Sequence, residues 1–202
     1  GCESAILGAR QTPHVFLAAY RSFTSTHRNS IMSRAAAVTF KGNPLTLAGE
    51  AVQVGKPAPD FKLAYYEGGL KEVTPADFRG KPTVISVVPS LDTPVCQIQT
   101  KKFNEELGGL GDKINAVTVS VDLPFAMNRF CGAENIKNLK SLSDYKDRNF
   151  GKNWGMLIEE LQLLARGTFV LGERTYPAGT PTGPSTTVKA RASTVKCHGA
   201  RG

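Results

Sequence analysis

One cysteine of this chain lies in a sequence context that suits a nucleophile. Cys96 follows an apolar run, residues 82–88, and comes three positions after Thr93. Thr93 is a typical helix N-cap and Pro94 suits the first helical position, which places Cys96 in the first helical turn. Backbone N–H groups in that turn lack helical partners, and the helix dipole is positive at that end. Both effects favour thiolate over thiol, so the sequence predicts a reactive cysteine.

The alternative for Cys96 is a small buried thiol that happens to follow a strand, because free cysteine is among the most buried residue types. Two motifs favour chemistry instead. The spacing Pro-x-x-x-Thr-x-x-Cys, from Pro89 to Cys96, resembles the active-site motif of the peroxiredoxins. The segment 122–134, which contains Cys131, is similar to the resolving-cysteine segment of the bacterial thiol peroxidases, the atypical two-cysteine branch of that family.

The resemblance covers residues 38–171, about two thirds of the chain. Residues 38–47 are similar to the family's N-terminal β-hairpin, and residues 163–171 resemble the strand that carries its active-site arginine. The resemblance implies a thioredoxin-like α/β fold with an N-terminal β-hairpin. It also implies that the usual last strand and helix are missing, because the similarity stops at Leu171.

The family resemblance further implies a chemistry and its residues. Cys96 would be the peroxidatic cysteine, and Cys131 would resolve its sulfenic acid as an intramolecular disulfide. Thr93 would contact the peroxide, Arg166 would supply positive charge, and Pro89 would shield the pocket. The substrates would be hydrogen peroxide and organic hydroperoxides, thioredoxin would be the reductant, and the enzyme would be a homodimer without a metal or an organic cofactor.

Each of these residues also has a structural interpretation. Thr93 could serve only as an N-cap, Arg166 could be a surface arginine at the start of a strand, and Cys131 could be a core thiol. Two other functions stay open. One is a thioredoxin-like disulfide exchange protein, against which the lack of a Cys-x-x-Cys pair counts. The other is a non-catalytic remnant that keeps the motifs without a stable fold.

Composition limits the classes of partner. The net charge of +8 arises mainly from the flanks, since residues 41–171 hold 16 basic and 15 acidic residues, and this gives no support for a nucleic-acid face. No apolar run approaches the roughly 20 residues needed to cross a bilayer. The expected location is the cytoplasm. The four cysteines show no spacing typical of zinc, and Cys2 and Cys197 are expected to be incidental.

The two flanks do not match the family. Residues 1–37 are rich in Ser, Thr, Ala and Arg, and we expect them to be disordered. Their composition is that of a transit peptide, which would target the protein to an organelle, or they precede an ordinary start at Met32. Residues 172–202 form a basic tail that begins rich in proline and glycine, and we expect neither a strand nor a helix there.

Apolar patterns and turn residues predict the elements between the flanks. Helices alternate with strands, which favours a mainly parallel sheet with covered faces. The helix that carries Cys96 is expected to present a broad apolar face made by Val95, Ile98, Phe103 and Leu107. The predicted strands are 38–40 and 45–47, joined by a turn at residues 42–43, and then 61–66, 82–88, 115–121, 139–142 and 166–171. Two predicted helices begin at residues 74 and 124, and two others span residues 94–107 and 145–154.

Overall fold

A computed structural model describes residues 32–172 and, as backbone, 188–191. The described strands are β1 (Ser33–Phe40), β2 (Asn43–Ala48), β3 (Leu63–Tyr66), β4 (Leu70–Val73), β5 (Thr83–Val87), β6 (Asn115–Ser120), β7 (Lys140–Ser143), β8 (Leu157–Ile158), β9 (Leu163–Leu164), β10 (Gly167–Leu171) and β11 (Val188–Arg191). The described α-helices are α1 (Pro94–Gly108), α2 (Pro124–Ala133) and α3 (Asn149–Asn153). A short 3-10 helix at Pro75–Phe78 stands where the sequence predicted a helix after Thr74.

The main sheet has the strand order β11-β10-β5-β6-β7-β3-β4. Only the β5–β6 and β6–β7 pairs are parallel, and the other four pairs are antiparallel. The expectation of a mainly parallel sheet was therefore wrong. A parallel pair needs a long crossover, which α1 and α2 supply, whereas β3 and β4 are joined by a turn of three residues and pair as a hairpin.

A second, smaller sheet has the order β1-β2-β8-β9 and contains the predicted N-terminal hairpin. The turn of that hairpin lies at Lys41 and Gly42, both with positive φ, one residue earlier than predicted. This is the geometry that matches the twist of the paired strands. β1 begins at Ser33, so residues 33–37 belong to the hairpin and not to the N-terminal extension; residues 1–31 lie outside the described residues.

The core lies where the parallel strands are covered on both faces. Ile85, Val87 and Val119 are at most 1 % exposed. Behind them the ring of Trp154 stacks on Phe150, with centroids 4.8 Å apart, and meets the edge of Phe169 at 5.0 Å. Each large apolar side chain buried in this way stabilises the fold by about 1.5–3 kcal/mol.

The predicted apolar face of α1 was wrong at its first two residues, whereas Phe103 and Leu107 are half-buried. Val95 is 55 % exposed and Ile98 is 66 % exposed, whereas the buried residues of the helix are Cys96 and Thr100. Residues four apart share one face of a helix, so Cys96 and Thr100 point together toward the sheet. The consequence is that the helix turns its cysteine inward.

The C-terminal segment contains a strand that the sequence did not predict. β11 pairs antiparallel with β10, from Thr168 opposite Arg191 to Leu171 opposite Val188. The expectation that the tail would hold no strand was wrong, because backbone pairing along β10 suffices where apolar periodicity is absent. No helix follows Leu171 among the described residues. The proline- and glycine-rich stretch 173–187 lies outside them.

Helix α3 is shorter than the predicted helix over residues 145–154. Arg148 adopts the left-handed conformation, with φ of 50°. The helix therefore begins after Arg148, at Asn149, and does not extend back to residue 145. The buried carboxylate of Asp144 accepts hydrogen bonds from the backbone N–H groups of Phe150 and Gly151 at 3.1 and 2.8 Å. Asp144 thus satisfies donors that a longer helix would have paired internally.

Candidate active site

Cys96 lies in the first turn of α1, as predicted, at the carboxyl end of β5. Its side chain is 1 % exposed and packs in a small cluster with Val88, Leu91 and Met127. The Nη2 atom of Arg166 donates a hydrogen bond to the Cys96 sulfur at 3.1 Å. A sulfur that is nearly excluded from water therefore faces a permanently charged guanidinium, which stabilises negative charge on that atom.

Arg166 reaches the cysteine from the residue just before β10, far away in the sequence. Its Nη1 atom donates to the side-chain oxygen of Gln99, and the Gln99 amide nitrogen donates to the buried hydroxyl of Ser86 at 2.8 Å. Gln99 lies one helical turn after Cys96 and so shares its face of α1. Sequence reasoning missed Gln99; its spacing of three residues from Cys96 was the available signal.

Thr93 and Pro89 border the loop between β5 and α1, and both are half-buried. The backbone carbonyl of Thr93 accepts the first helical hydrogen bond, from the Gln97 N–H at 3.0 Å, so Thr93 occupies the N-cap position that was predicted. Its hydroxyl does not cap the helix and instead donates to the carbonyl of Ser90 at 3.0 Å. This bond folds the loop beside the first turn of α1.

Asp122, two residues after the end of β6, binds the same loop through hydrogen bonds. One carboxylate oxygen accepts from the Ser90 hydroxyl at 2.8 Å, and the other accepts from the Leu91 N–H at 2.7 Å and from the Ser120 hydroxyl at 2.8 Å. Asp122 follows β6, whose carboxyl end lies at the same edge of the sheet as that of β5. In the sequence, Asp122 is recognisable only as part of the segment 122–134 around Cys131.

Cys131 lies in α2, and no disulfide joins it to Cys96. It is half-buried and lines an open groove of about 580 Å³ whose other walls include Tyr65, Lys137 and Ser141. Burial raises the pKa of the Cys131 thiol, while a hydrogen bond with Ser141 lowers it to a smaller extent. Both cysteines are free in the structure. The sequence-predicted set is therefore divided: Cys96, Arg166, Thr93 and Pro89 gather at one sheet edge, and Cys131 faces the groove.

Helix α2 nevertheless connects the two cysteines. Met127 belongs to the same buried cluster as Cys96, and Cys131 follows Met127 by four residues, about 6 Å along the helix axis. Each cysteine lies inside a regular helix, and no disulfide joins them.

The described residues contain no cluster of three or more His, Cys, Asp or Glu side chains that could hold a metal ion. Within the same ranges, none of the helices has the length and apolar character required to cross a membrane. Cys2 and Cys197 lie outside the described residues. The chemistry that the described site offers is that of a buried sulfur nucleophile with a neighbouring cation.

The chain is similar in sequence to a known protein family and to several known proteins. The family model named Redoxin matches residues 53–187. A thiol peroxidase of Bacillus subtilis is 52 % identical over 138 residues, which are 68 % of this chain and 81 % of that protein. A thiol peroxidase of Streptococcus pneumoniae is 52 % identical over 134 residues, or 66 % of this chain and 80 % of that protein.

Among solved structures, a peroxiredoxin-like protein from Aquifex aeolicus has a TM-score of 0.65 and 35 % sequence identity, over 80 % of this chain and 86 % of that chain. The fold is thus thioredoxin-like, as the sequence indicated. These similarities identify an enzyme, a peroxidase among the oxidoreductases. The chain belongs to the redoxin family, in which it is similar to the thiol peroxidases.

Proposed function

We propose that the protein reduces hydrogen peroxide and organic hydroperoxides with Cys96 as the peroxidatic residue. The observation that carries the proposal is the 3.1 Å hydrogen bond from Arg166 to the sulfur of Cys96. A thiolate attacks one oxygen of the hydroperoxide, the O–O bond breaks, and the other oxygen leaves as alkoxide or hydroxide and takes up a proton. The sulfur is oxidised to a sulfenic acid while the peroxide is reduced to an alcohol or water.

The neighbours of Cys96 fit complementary roles in this step. Arg166 stabilises the thiolate before attack and the charge that develops on the leaving oxygen. Thr93 is the N-cap of α1, three residues before Cys96, and its hydroxyl would meet a peroxide oxygen after giving up its bond to Ser90. Pro89 helps to exclude water from the loop, which strengthens the electrostatic interactions there.

Cys131 is proposed as the resolving residue. Its thiol sulfur attacks the sulfenic sulfur of Cys96, a disulfide forms, and water leaves. The two Cα atoms must come within about 4.4–6.8 Å for this bond. Because Cys96 is 1 % exposed and each cysteine lies in a helix, the first turn of α1 and the second half of α2 must unwind first.

A dithiol protein would complete the cycle, and thioredoxin is the proposed reductant. It would reduce the Cys96–Cys131 disulfide to two thiols and become a disulfide itself.

A homodimer is proposed as the oligomeric state. Its interface would cover exposed apolar side chains, namely Val95, Ile98, Leu123 and Phe125. The cytoplasmic location expected from the sequence stays a prediction.

The test of the peroxidase proposal is peroxide consumption by purified protein in the presence of a dithiol. Cys96→Ser should abolish activity, because no other sulfur bonds with Arg166 in the part of the chain that the structure describes. Cys197→Ser is the matched control and should keep full activity. Residual activity above a few per cent of wild type in Cys96→Ser, or loss of activity in Cys197→Ser, would refute the assignment.

A further inference from the structure

Asp122 holds together the two segments that carry the cysteines. Its side chain binds the loop before α1 through the Ser90 hydroxyl at 2.8 Å and the Leu91 N–H at 2.7 Å. Its main chain immediately precedes Leu123, the N-cap of α2. The carbonyl of Asp122 also accepts a hydrogen bond from the Ser143 hydroxyl, which ties the same residue to the end of β7.

The contact continues from Asp122 to the residues around Cys96. Ser90, which donates to Asp122, accepts from the Asp92 N–H at 3.1 Å, and its carbonyl accepts from the Thr93 hydroxyl at 3.0 Å. The loop is thus folded by a chain of hydrogen bonds that ends on one carboxylate. If the first turn of α1 unwinds together with the loop before it, the hydrogen bonds of Ser90 and Leu91 to Asp122 must break.

We propose that Asp122 is a positioning residue that sets the balance between the two half-reactions of the peroxidase cycle. The inference rests on the proposed function. With the carboxylate in place, the loop keeps Cys96 against Arg166, the arrangement that reacts with peroxide. Release of the loop from Asp122 lets Cys96 leave its buried cluster and meet Cys131, the arrangement that forms the disulfide.

This role gives the two steps opposite responses to one substitution. Removing the carboxylate weakens the folded loop, so fewer molecules hold Cys96 beside Arg166 at any moment and oxidation by peroxide becomes slower. The unwound arrangement becomes more populated, so disulfide formation becomes faster. A faster second step also leaves the sulfenic acid less time to react with another peroxide, so less sulfinic acid forms.

The experiment measures both steps in single turnovers of the full chain, by rapid quenching followed by mass analysis of Cys96. Loss of a charge-assisted hydrogen bond should shift the equilibrium between the two loop arrangements by about tenfold or more. Asp122→Ala should therefore oxidise Cys96 measurably more slowly than wild type, because oxidation follows the remaining folded fraction. The same variant should form the disulfide several-fold faster and require more peroxide for over-oxidation. Asp122→Asn should be intermediate, because an amide oxygen can still accept from the Leu91 N–H.

Two further variants keep the test decisive. Ser90→Ala removes one of the two loop contacts with Asp122. It should also slow oxidation of Cys96 and speed disulfide formation, by smaller factors than Asp122→Ala, and it serves as the test if Asp122→Ala does not fold. Asp147→Ala, an exposed aspartate after β7, is the control and should leave both rates at wild-type values. Two slower steps, two unchanged steps, or more over-oxidation would overturn the inference. A wild-type chain without peroxide oxidation would instead refute the proposed function.

Discussion

Gln99→Met should reduce the reactivity of Cys96 with peroxide although Gln99 does not touch the sulfur. Gln99 accepts a hydrogen bond from Nη1 of Arg166 and donates one to Ser86, so it fixes the direction in which the guanidinium points. Methionine has a similar length and no branch, which keeps α1 and its packing. Without the amide, Arg166 loses its second anchor and the bond to Cys96 weakens.

The size of the effect follows from the type of bond. A hydrogen bond to a charged group has a net value of about 1.5–3 kcal/mol. If the whole value is lost in the transition state, kcat/KM falls roughly 10- to 100-fold, since about 1.4 kcal/mol corresponds to a factor of ten. The melting temperature should fall as well, because the fully buried Ser86 hydroxyl loses its hydrogen bond from Gln99.

The assay is peroxide consumption under pseudo-first-order conditions with excess dithiol. Gln97→Met is the matched control, since Gln97 lies in the same turn of α1 and forms no side-chain bond to Arg166 or Cys96 in the described structure. The control should retain wild-type kcat/KM. Equal losses in the two variants, or no loss in Gln99→Met, would refute the idea that Gln99 positions Arg166.

Two predictions concern stability. Burial raises the pKa of Asp144 to about 6, so the folded state binds this proton more tightly than the unfolded state. This difference adds ~3 kcal/mol to the free energy of unfolding below about pH 4, and the contribution is lost by about pH 6. Thermal melts from pH 4 to 7 should show this decline in wild type and a flatter curve in Asp144→Asn; equal curves would contradict it. Deleting residues 188–202 should lower the melting temperature and promote aggregation, because β10 becomes an unpaired edge, whereas deleting only 192–202 should not. Identical melts of the two truncated chains would show that β11 does not stabilise the sheet.

The start of α1 and the start of α2 could be predicted because local residues determine them. The signals are Thr93 followed by Pro94 for α1, and Pro124 for α2, and each acts within a few residues. The structure confirms both helices. The hairpin of β1 and β2 was recognised for the same reason, from its turn. These local signals also place Cys96 in the first turn, which is the part of the site that the sequence predicts best.

Features that depend on distant contacts could not be predicted. The spacing of Val95 and Ile98 indicates a shared face but not whether the sheet covers that face, and in the structure both are exposed. Strands β8 and β9 have two residues each and exist through pairing with β2 and with each other, which no periodic pattern reveals. Gln99 and Asp122 act through hydrogen bonds to other segments, and these bonds follow only from the fold.

The most direct test of the account is the covalent state of Cys96 after one equivalent of hydrogen peroxide. Free thiols are alkylated, and peptides are mapped without reduction. We expect a disulfide between Cys96 and Cys131 of the same chain, while Cys131→Ser should accumulate sulfenic or sulfinic acid at Cys96. A disulfide between chains as the main product, or an oxidised Cys96 beside a free Cys131 in the wild type, would contradict it.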